Sequence, residues 1–369
     1  MGYTLPFMDD IAQPELAAKL QQRLDQKTKP LGSLGRLETL VKHIGLVLGS
    51  EQPVLREPQL VVFAGDHGLA AHGVSAYPSE VTWQMVENFL TGGAAVNVLA
   101  RQHGIGLTVV DCGVQHDFAP RAGLHICKVA SGTADSLQGP AMETEACEAA
   151  LQHGADLIRS LPGNALLLGE MGIGNTSAAA LLMSRLTGLD IEDCAGAGTG
   201  LDAPALQRKI GILRKVLARH ATAHTPLEAL AAFGGFEIAT MVGAVLEAAA
   251  QRRLIVVDGF IATSAVLVAS MRLHAANVLL HLRYKGPNEI PCQATCTKGE
   301  EMGWFQHGST ILVFVPPGFS LRRATEQWSR ELERIDPPTP KASPQAEEPL
   351  PRRLARALLM AYPDRVVRV

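Results

Sequence analysis

A chain of 369 residues, 47% hydrophobic and 19% charged, has room for roughly two domains and enough apolar surface to bury a sizeable core. Its net charge of −3 carries no polyanion-binding signature, which argues against a nucleic-acid partner, and no apolar run is long and charge-free enough for a membrane span. The opening MGYTLPFMDDIAQPEL lacks the apolar stretch of a signal peptide and the Ser/Thr that follows a myristoylated glycine, and six scattered cysteines point to buried thiols in a reducing compartment, so a cytoplasmic location is expected.

The first 58 residues read as a small helical part. Residues 10–26 form an amphipathic helix with Leu16, Leu20 and Leu24 on one face. A glycine-punctuated turn, TKPLGSLGRLE, leads to a second helix, LETLVKHIGLVLG. Lys29 and Arg36 in that turn either serve an anionic ligand or are plain surface charges. QLVVFAG at 59–65 is a buried strand, and Asp66-His67-Gly68 stands at its carboxyl end. A polar loop, Gly73–Ser79, precedes a helix in which Thr82, Gln84, Met85 and Asn88 alternate with apolar positions. Another helix starts at Gly92-Gly93-Ala94-Ala95, and LTVVDCGV at 107–114 is the next strand, so Asp111 also falls at a strand end. An acid in that position is either a cap or part of a shared cleft. His67 has no His or Cys at ligand spacing, which favours a hydrogen-bonded histidine over a metal ligand.

The centre of the chain is LLLGEMGIGNTS at 166–177. Three leucines make a short buried strand, Glu170 stands at its carboxyl end, and Asn175-Thr176-Ser177 opens a helix. Gly172 and Gly174 allow close approach of a ligand and positive φ. Unpaired N–H groups of the first helical turn, with Ile173 leading into it, make the turn an expected anion site. A second glycine-rich loop, Ala195–Asp202, contains Gly196, Gly198, Thr199 and Gly200 and precedes a basic helix with Lys209. Two glycine loops and a lysine suit a phosphorylated small molecule better than a metal, although basic residues at helical spacing commonly form a solvated face. FGGFEIA at 233–239 is a further glycine break, and LIVVDGF at 254–260 is another buried strand ending in an acid, Asp258. Strand–helix alternation over 59–272 predicts an α/β domain: a doubly wound, mostly parallel sheet with helices on both faces.

Taken together, TKPLGSLGRLE, FAGDHG, GVSAYPSEVT, GGAAVNVLAR, GEMGIGNTS, GAGTGLD, GGFEIA and VVDGFIATSA resemble the nicotinate-nucleotide–dimethylbenzimidazole phosphoribosyltransferase family across roughly residues 20–270. The resemblance implies transfer of phosphoribose from nicotinate mononucleotide to 5,6-dimethylbenzimidazole, a step in making the lower ligand of cobalamin. It implies no metal and no other cofactor, because a pyridinium is already a good leaving group, and it suggests a homodimer. By similarity, the 172–177 turn, the 196–200 loop, Lys209 and Asp258 look like the phosphoribosyl cradle. Ser75, Tyr77, Gln84 and Met85 look like the benzimidazole slot, and Glu170 like the functional acid.

After about Met271 the family's Ser-His/Glu-Pro-Gly-His stretch and its Gly-Glu-Gly-Thr-Gly turn, which holds the family's assigned general base, are not found. Residues 273–334 instead resemble, over about 285–320, the C-terminal part of phosphatidylserine decarboxylase, with Gly308-Ser309-Thr310 at the position of its self-cleavage motif. The upstream processing motifs of that enzyme are missing. Glu300 and Glu301 belong to this second pattern and are not expected to replace the base. Cys292, Cys296 and His307 lack a fourth ligand for a metal. Residues 335–369 are a Pro-rich, charged linker and a short amphipathic tail. Two alternatives to a working transferase follow: a module that binds the nucleotide without reaction, or a pyruvoyl-type segment cleaved at Gly308-Ser309.

Overall fold

The computed structural model describes residues 3–8, 10–198 and 200–272, together with two short strands at 322–323 and 367–368. Two compact units make up the chain, residues 1–278 and 279–369. In the second, Arg322–Arg323 pairs antiparallel with Val367–Arg368.

The first unit begins with helices Pro14–Asp25 (α1) and Arg36–Val47 (α2). Pro14 sets the start of α1, since proline is tolerated in the first turn, so this helix begins later than the sequence pattern suggests. Between them Lys29 donates to Glu38 at 2.8 Å inside the glycine-rich turn, which settles its role as an internal ion pair. Then follow Gln59–Gly65 (β1), a 3-10 turn at Gly68–His72, Glu80–Leu90 (α3), Ala95–Gln102 (α4), Gly106–Gly113 (β2), Leu124–Ile126 (β3), Thr144–Ser160 (α5) and Ala165–Met171 (β4). The chain continues through Asn175–Thr187 (α6), Ile191–Cys194 (α7), Ala203–Arg219 (α8), Pro226–Phe233 (α9), Phe236–Ala250 (α10), Leu254–Val256 (β5) and Phe260–Arg272 (α11).

Five strands form one parallel sheet in the order β3-β2-β1-β4-β5. All-parallel sheets need apolar strands covered on both faces, and β1 meets that demand. Val62 and Ala64 pack with Val86 and Phe89 of α3 and with Val109. Val61 and Phe63 point the other way and are equally buried. On that side α10 lies against β1, β2 and β4. It is buried from Phe236 to Ala248, as its nearly unbroken apolar sequence requires.

Helices α5 and α10 cross at close range through two glycines. A Cβ on Gly154 would collide with the Thr240 carbonyl, and one on Gly243 with the Leu151 carbonyl. The strand order turns back at β1, with β2 on one side and β4 on the other, and open α/β sheets open their ligand crevice at such a point. Phe63 aligns with Glu170 and Ala64 with Met171, so the carboxyl ends of β1 and β4 lie side by side there. Strand β5 is shorter than the apolar run 254–260 predicts: pairing stops at Val256, and Asp258 is exposed beyond it.

Candidate active site

Residues that leave β1 and β4 meet at this switch point. Asp66 and His67, just past β1, are 2% and 5% exposed. His67 Nε2 lies 2.7 Å from Glu237 Oε1, and Glu237, in the first turn of α10, is fully buried. Its second oxygen, Oε2, and Asp66 Oδ1 have no hydrogen-bond partner. Three glycines make room for the pair. A Cβ on Gly65 would come within 2.8 Å of Glu237 Oε2, one on Gly172 would meet the Gly65 carbonyl at 2.5 Å, and one on Gly235 would strike both Glu237 and His67.

Glu170 projects into the same space from β4, with Asn175 Nδ2 donating a short hydrogen bond to its Oε2. Burial pushes its pKa up to about 7; the Asn175 bond opposes this and the Glu237 charge adds to it. Burial alone would lower His67, but the Glu237 carboxylate, with Asp66 and Glu170 nearby, outweighs it and the imidazole pKa is raised. Burial raises Asp66 as well, against the backbone N–H of Gln115 that donates to its Oδ2 at 2.8 Å. Four ionisable groups thus share one poorly solvated crevice.

Across the β4–α6 turn sits a buried cation. Asp202 caps α8 by accepting from the amide of Ala205 at 2.8 Å, and that start phases the helix so that Leu206, Lys209, Ile210, Leu213 and Val216 share its inner face. Lys209 is 1% exposed. Its Nζ donates to Thr176 Oγ1 at 3.1 Å and to the Gly196 carbonyl at 3.3 Å. Among the described residues no carboxylate pairs with it, and burial pulls its pKa down to about 8. Gly198, at φ 60°, passes over both Thr176 and the amine. Gly174, at φ 96°, turns the chain into α6.

Glu170, Gly172, Ile173, Gly174, Asn175, Thr176, Ser177, Gly196, Gly198 and Lys209 are therefore drawn into one region. The expectation of unpaired amides at the start of α6 needs correction for three of them. The Asn175 amide donates to Gly172 at 3.1 Å and that of Ser177 to Gly174 at 2.9 Å. The Ile173 amide donates to Thr82 Oγ1 at 3.1 Å. The side chains that face the turn are Lys209, Thr176 and the buried, unpartnered Ser177 hydroxyl. Gly200 lies exposed at the far side of the loop, and Thr199 is outside the described residues.

The Thr82 contact ties α3 to the turn. Gln84 on that helix is exposed, and Met85 packs against the β1–β2 cluster. In the loop before α3, the Ser75 hydroxyl accepts from the Tyr77 amide at 3.4 Å, and Tyr77 is half exposed. Asp258 remains at the carboxyl end of β5 with its side chain in solvent. Asp111 is a strand-end cap: its Oδ1 accepts from Gly113 and Val114 at 3.1 and 2.9 Å, and its Oδ2 lies 3.4 Å from Lys128 Nζ. Gly308, Ser309 and Thr310 lie outside the described residues, as do Cys292, Cys296 and His307. Among the described residues no group of three metal-ligating side chains converges.

A parallel sheet with a buried lysine behind a glycine-rich strand–helix turn, and a carboxyl group poised beside it, is the apparatus of a group-transfer enzyme acting on a phosphorylated substrate. The chain belongs to the phosphoribosyltransferase family whose model matches residues 10–281. Among its relatives, the nicotinate-nucleotide–dimethylbenzimidazole phosphoribosyltransferase of Variovorax paradoxus is 66% identical over 274 residues, which cover 74% of this chain and 78% of that one. The protein of the same name from Cupriavidus taiwanensis is 56% identical over 268 residues, or 72% of this chain and 76% of that one. A crystal structure of CobT from Thermus thermophilus, 42% identical, superposes with a TM-score of 0.68 over 70% of this chain and 79% of that one. A second family model, phosphatidylserine decarboxylase, matches residues 240–331 and so overlaps the last helices of the first unit.

Proposed function

We propose that the chain transfers phosphoribose from nicotinate mononucleotide to 5,6-dimethylbenzimidazole, giving α-ribazole 5′-phosphate and nicotinate in the making of the cobalamin lower ligand. The observation that carries this reading is the buried ammonium of Lys209, with no carboxylate partner among the described residues, and the carboxyl group of Glu170, held by Asn175, on one glycine-rich turn. The names of the relatives agree with it. A phosphate dianion would neutralise Lys209 and accept from Thr176 and Ser177, with the 196–200 loop closing over it. Departure of nicotinate from a pyridinium needs no proton. The incoming benzimidazole must lose its N–H proton, and Glu170 is placed to take it. Ser75, Tyr77, Gln84 and Met85 are assigned to the flat ring, and Asp258 to the ribose side.

The assignment of residues 1–58 to a helical part, 59–272 to the transferase domain, 273–334 to a decarboxylase-like segment and 335–369 to a linker and tail belongs to the same proposal. So does a cytoplasmic location, supported by the free thiols of Cys112, Cys127, Cys147 and Cys194. A homodimer is supported by Leu34, Leu37, Leu40 and Val41, exposed on and beside α2.

The test is to incubate the full chain with both substrates and to measure released nicotinate and α-ribazole phosphate. Product is expected, with Glu170→Gln slower by about 10²–10⁴-fold. Absence of product together with absence of nucleotide binding by calorimetry overturns the reading. Binding without product would establish the non-catalytic alternative, which the missing C-terminal glutamate motif favours. Two fragments on a denaturing gel, split at Gly308-Ser309, would instead establish the decarboxylase-type cleavage.

A further inference from the structure

Away from this crevice, two cysteines meet between adjacent strands. Cys112 in β2 and Cys127 just after β3 follow directly on the paired residues Asp111 and Ile126, and the Cys127 amide donates to the Asp111 carbonyl at 3.0 Å. Adjacent strands run about 4.8 Å apart, inside the Cα separation that a disulfide bridges. The Cys112 side chain lies beside Cys127, and its thiol donates to the Val110 carbonyl at 3.7 Å. Their surroundings differ: Cys112 is fully buried, while Cys127 keeps partial access to solvent. From α5, the His153 ring lies against Cys127, with Nδ1 2.8 Å from its carbonyl oxygen. His125 of β3 lies near Cys127, and on the inner side Thr240 and Glu237 of α10 face Cys112.

We propose that Cys127 is a peroxide-reactive thiolate with Cys112 as its resolving thiol, so that the chain carries a reversible modification site independent of its transferase reading. The neighbouring Cys112 side chain, opposed by burial and assisted by His153, brings Cys127 below the ordinary thiol range, to about 6. Burial, and then the neighbouring Cys127, hold Cys112 well above the ordinary thiol range. The division of roles follows: a low-pKa, accessible sulfur attacks, and its buried neighbour keeps its proton until needed. In the first step the Cys127 thiolate attacks one oxygen of a hydroperoxide. The O–O bond breaks, sulfur loses two electrons to become sulfenic acid, and the peroxide leaves as water or alcohol after taking up a proton. In the second, the Cys112 sulfur attacks the sulfenic sulfur, the S–O bond breaks, an S–S bond forms, and the hydroxyl departs as water with the Cys112 proton.

The full-length reduced chain, treated with a few equivalents of hydrogen peroxide at pH 7, alkylated and digested with trypsin without reductant, tests this directly. The tryptic peptides 102–121 and 122–128, which hold Cys112 and Cys127, are expected joined, two hydrogen masses below their sum, and separable by dithiothreitol. Cys127→Ser is expected to abolish the joined species and to leave Cys112 unmodified, with a melting transition near that of the parent. The unsubstituted digest decides alone if that variant fails to fold. Cys127 over-oxidised beside a still-reduced Cys112, or both thiols reduced while Cys292 and Cys296 consume the peroxide, overturns the proposal.

Discussion

Glu170 and Lys209 owe their chemistry to where they are held, and both assignments have consequences in solution. In the proposed reaction Glu170 must be ionised to accept a proton and Lys209 protonated to attract phosphate. The kcat/KM for nicotinate mononucleotide is therefore expected to rise as pH passes through about 7 and to fall above about 8. In Glu170→Gln the lower limb should vanish along with most of the rate. A profile flat from pH 6 to 9 would remove both residues from the mechanism. Lys209 also makes an unusual stability forecast. Its folded pKa is below that of a free lysine, so the charged form is penalised by folding. The penalty is complete below pH about 8 and disappears as pH rises past 10.5, the ordinary lysine value, for a total of roughly 3 kcal/mol. Lys209→Met should consequently melt higher than the parent at pH 7 while losing the stabilisation that nicotinate mononucleotide confers. A lower Tm, or ligand stabilisation retained, would contradict the site.

The secondary structure that frames these groups was largely legible in the sequence, and the exceptions have identifiable physics. Continuous apolar runs located β1, β2 and β4, because strands buried on both faces admit little else. The three residues of β3 escaped notice because Leu124-His125-Ile126 is too short and too exposed to carry a pattern. Lys209 was legible as a cation but not as a buried one, although it falls on the stripe of Leu206, Ile210 and Leu213 while Arg208, Arg214 and Lys215 face outward. Glu237, inside GGFEIA, carries one sequence signal, a carboxylate in the first turn of an otherwise apolar helix. The crossing of α5 and α10 left its own trace in Gly154 and Gly243. Gly243→Ala should lower stability by about 1–3 kcal/mol, since a methyl group has to displace the Leu151 backbone. Urea unfolding checks it, and an unchanged midpoint would mean the two helices are free to separate.

Leucines 34, 37 and 40 and Val41 form an apolar strip around α2 that one chain leaves in solvent. If a second copy covers it, sedimentation should report a dimer, and Leu37→Glu should shift the distribution to monomer at micromolar concentration without loss of secondary structure. A monomeric parent would end the homodimer assignment.

The strand order carries a last implication, for the time at which this fold comes into being. Strand β1, the centre of the sheet, finds one neighbour early in β2, but its other edge waits for β4, and the acid that neutralises His67 arrives later still, on α10. During synthesis an apolar strand therefore emerges with one edge open while the intervening residues are made, the kind of exposed, late-satisfied pairing that slows folding and invites aggregation. The ribosome releases the candidate crevice in pieces, and it closes only after residue 237 has emerged.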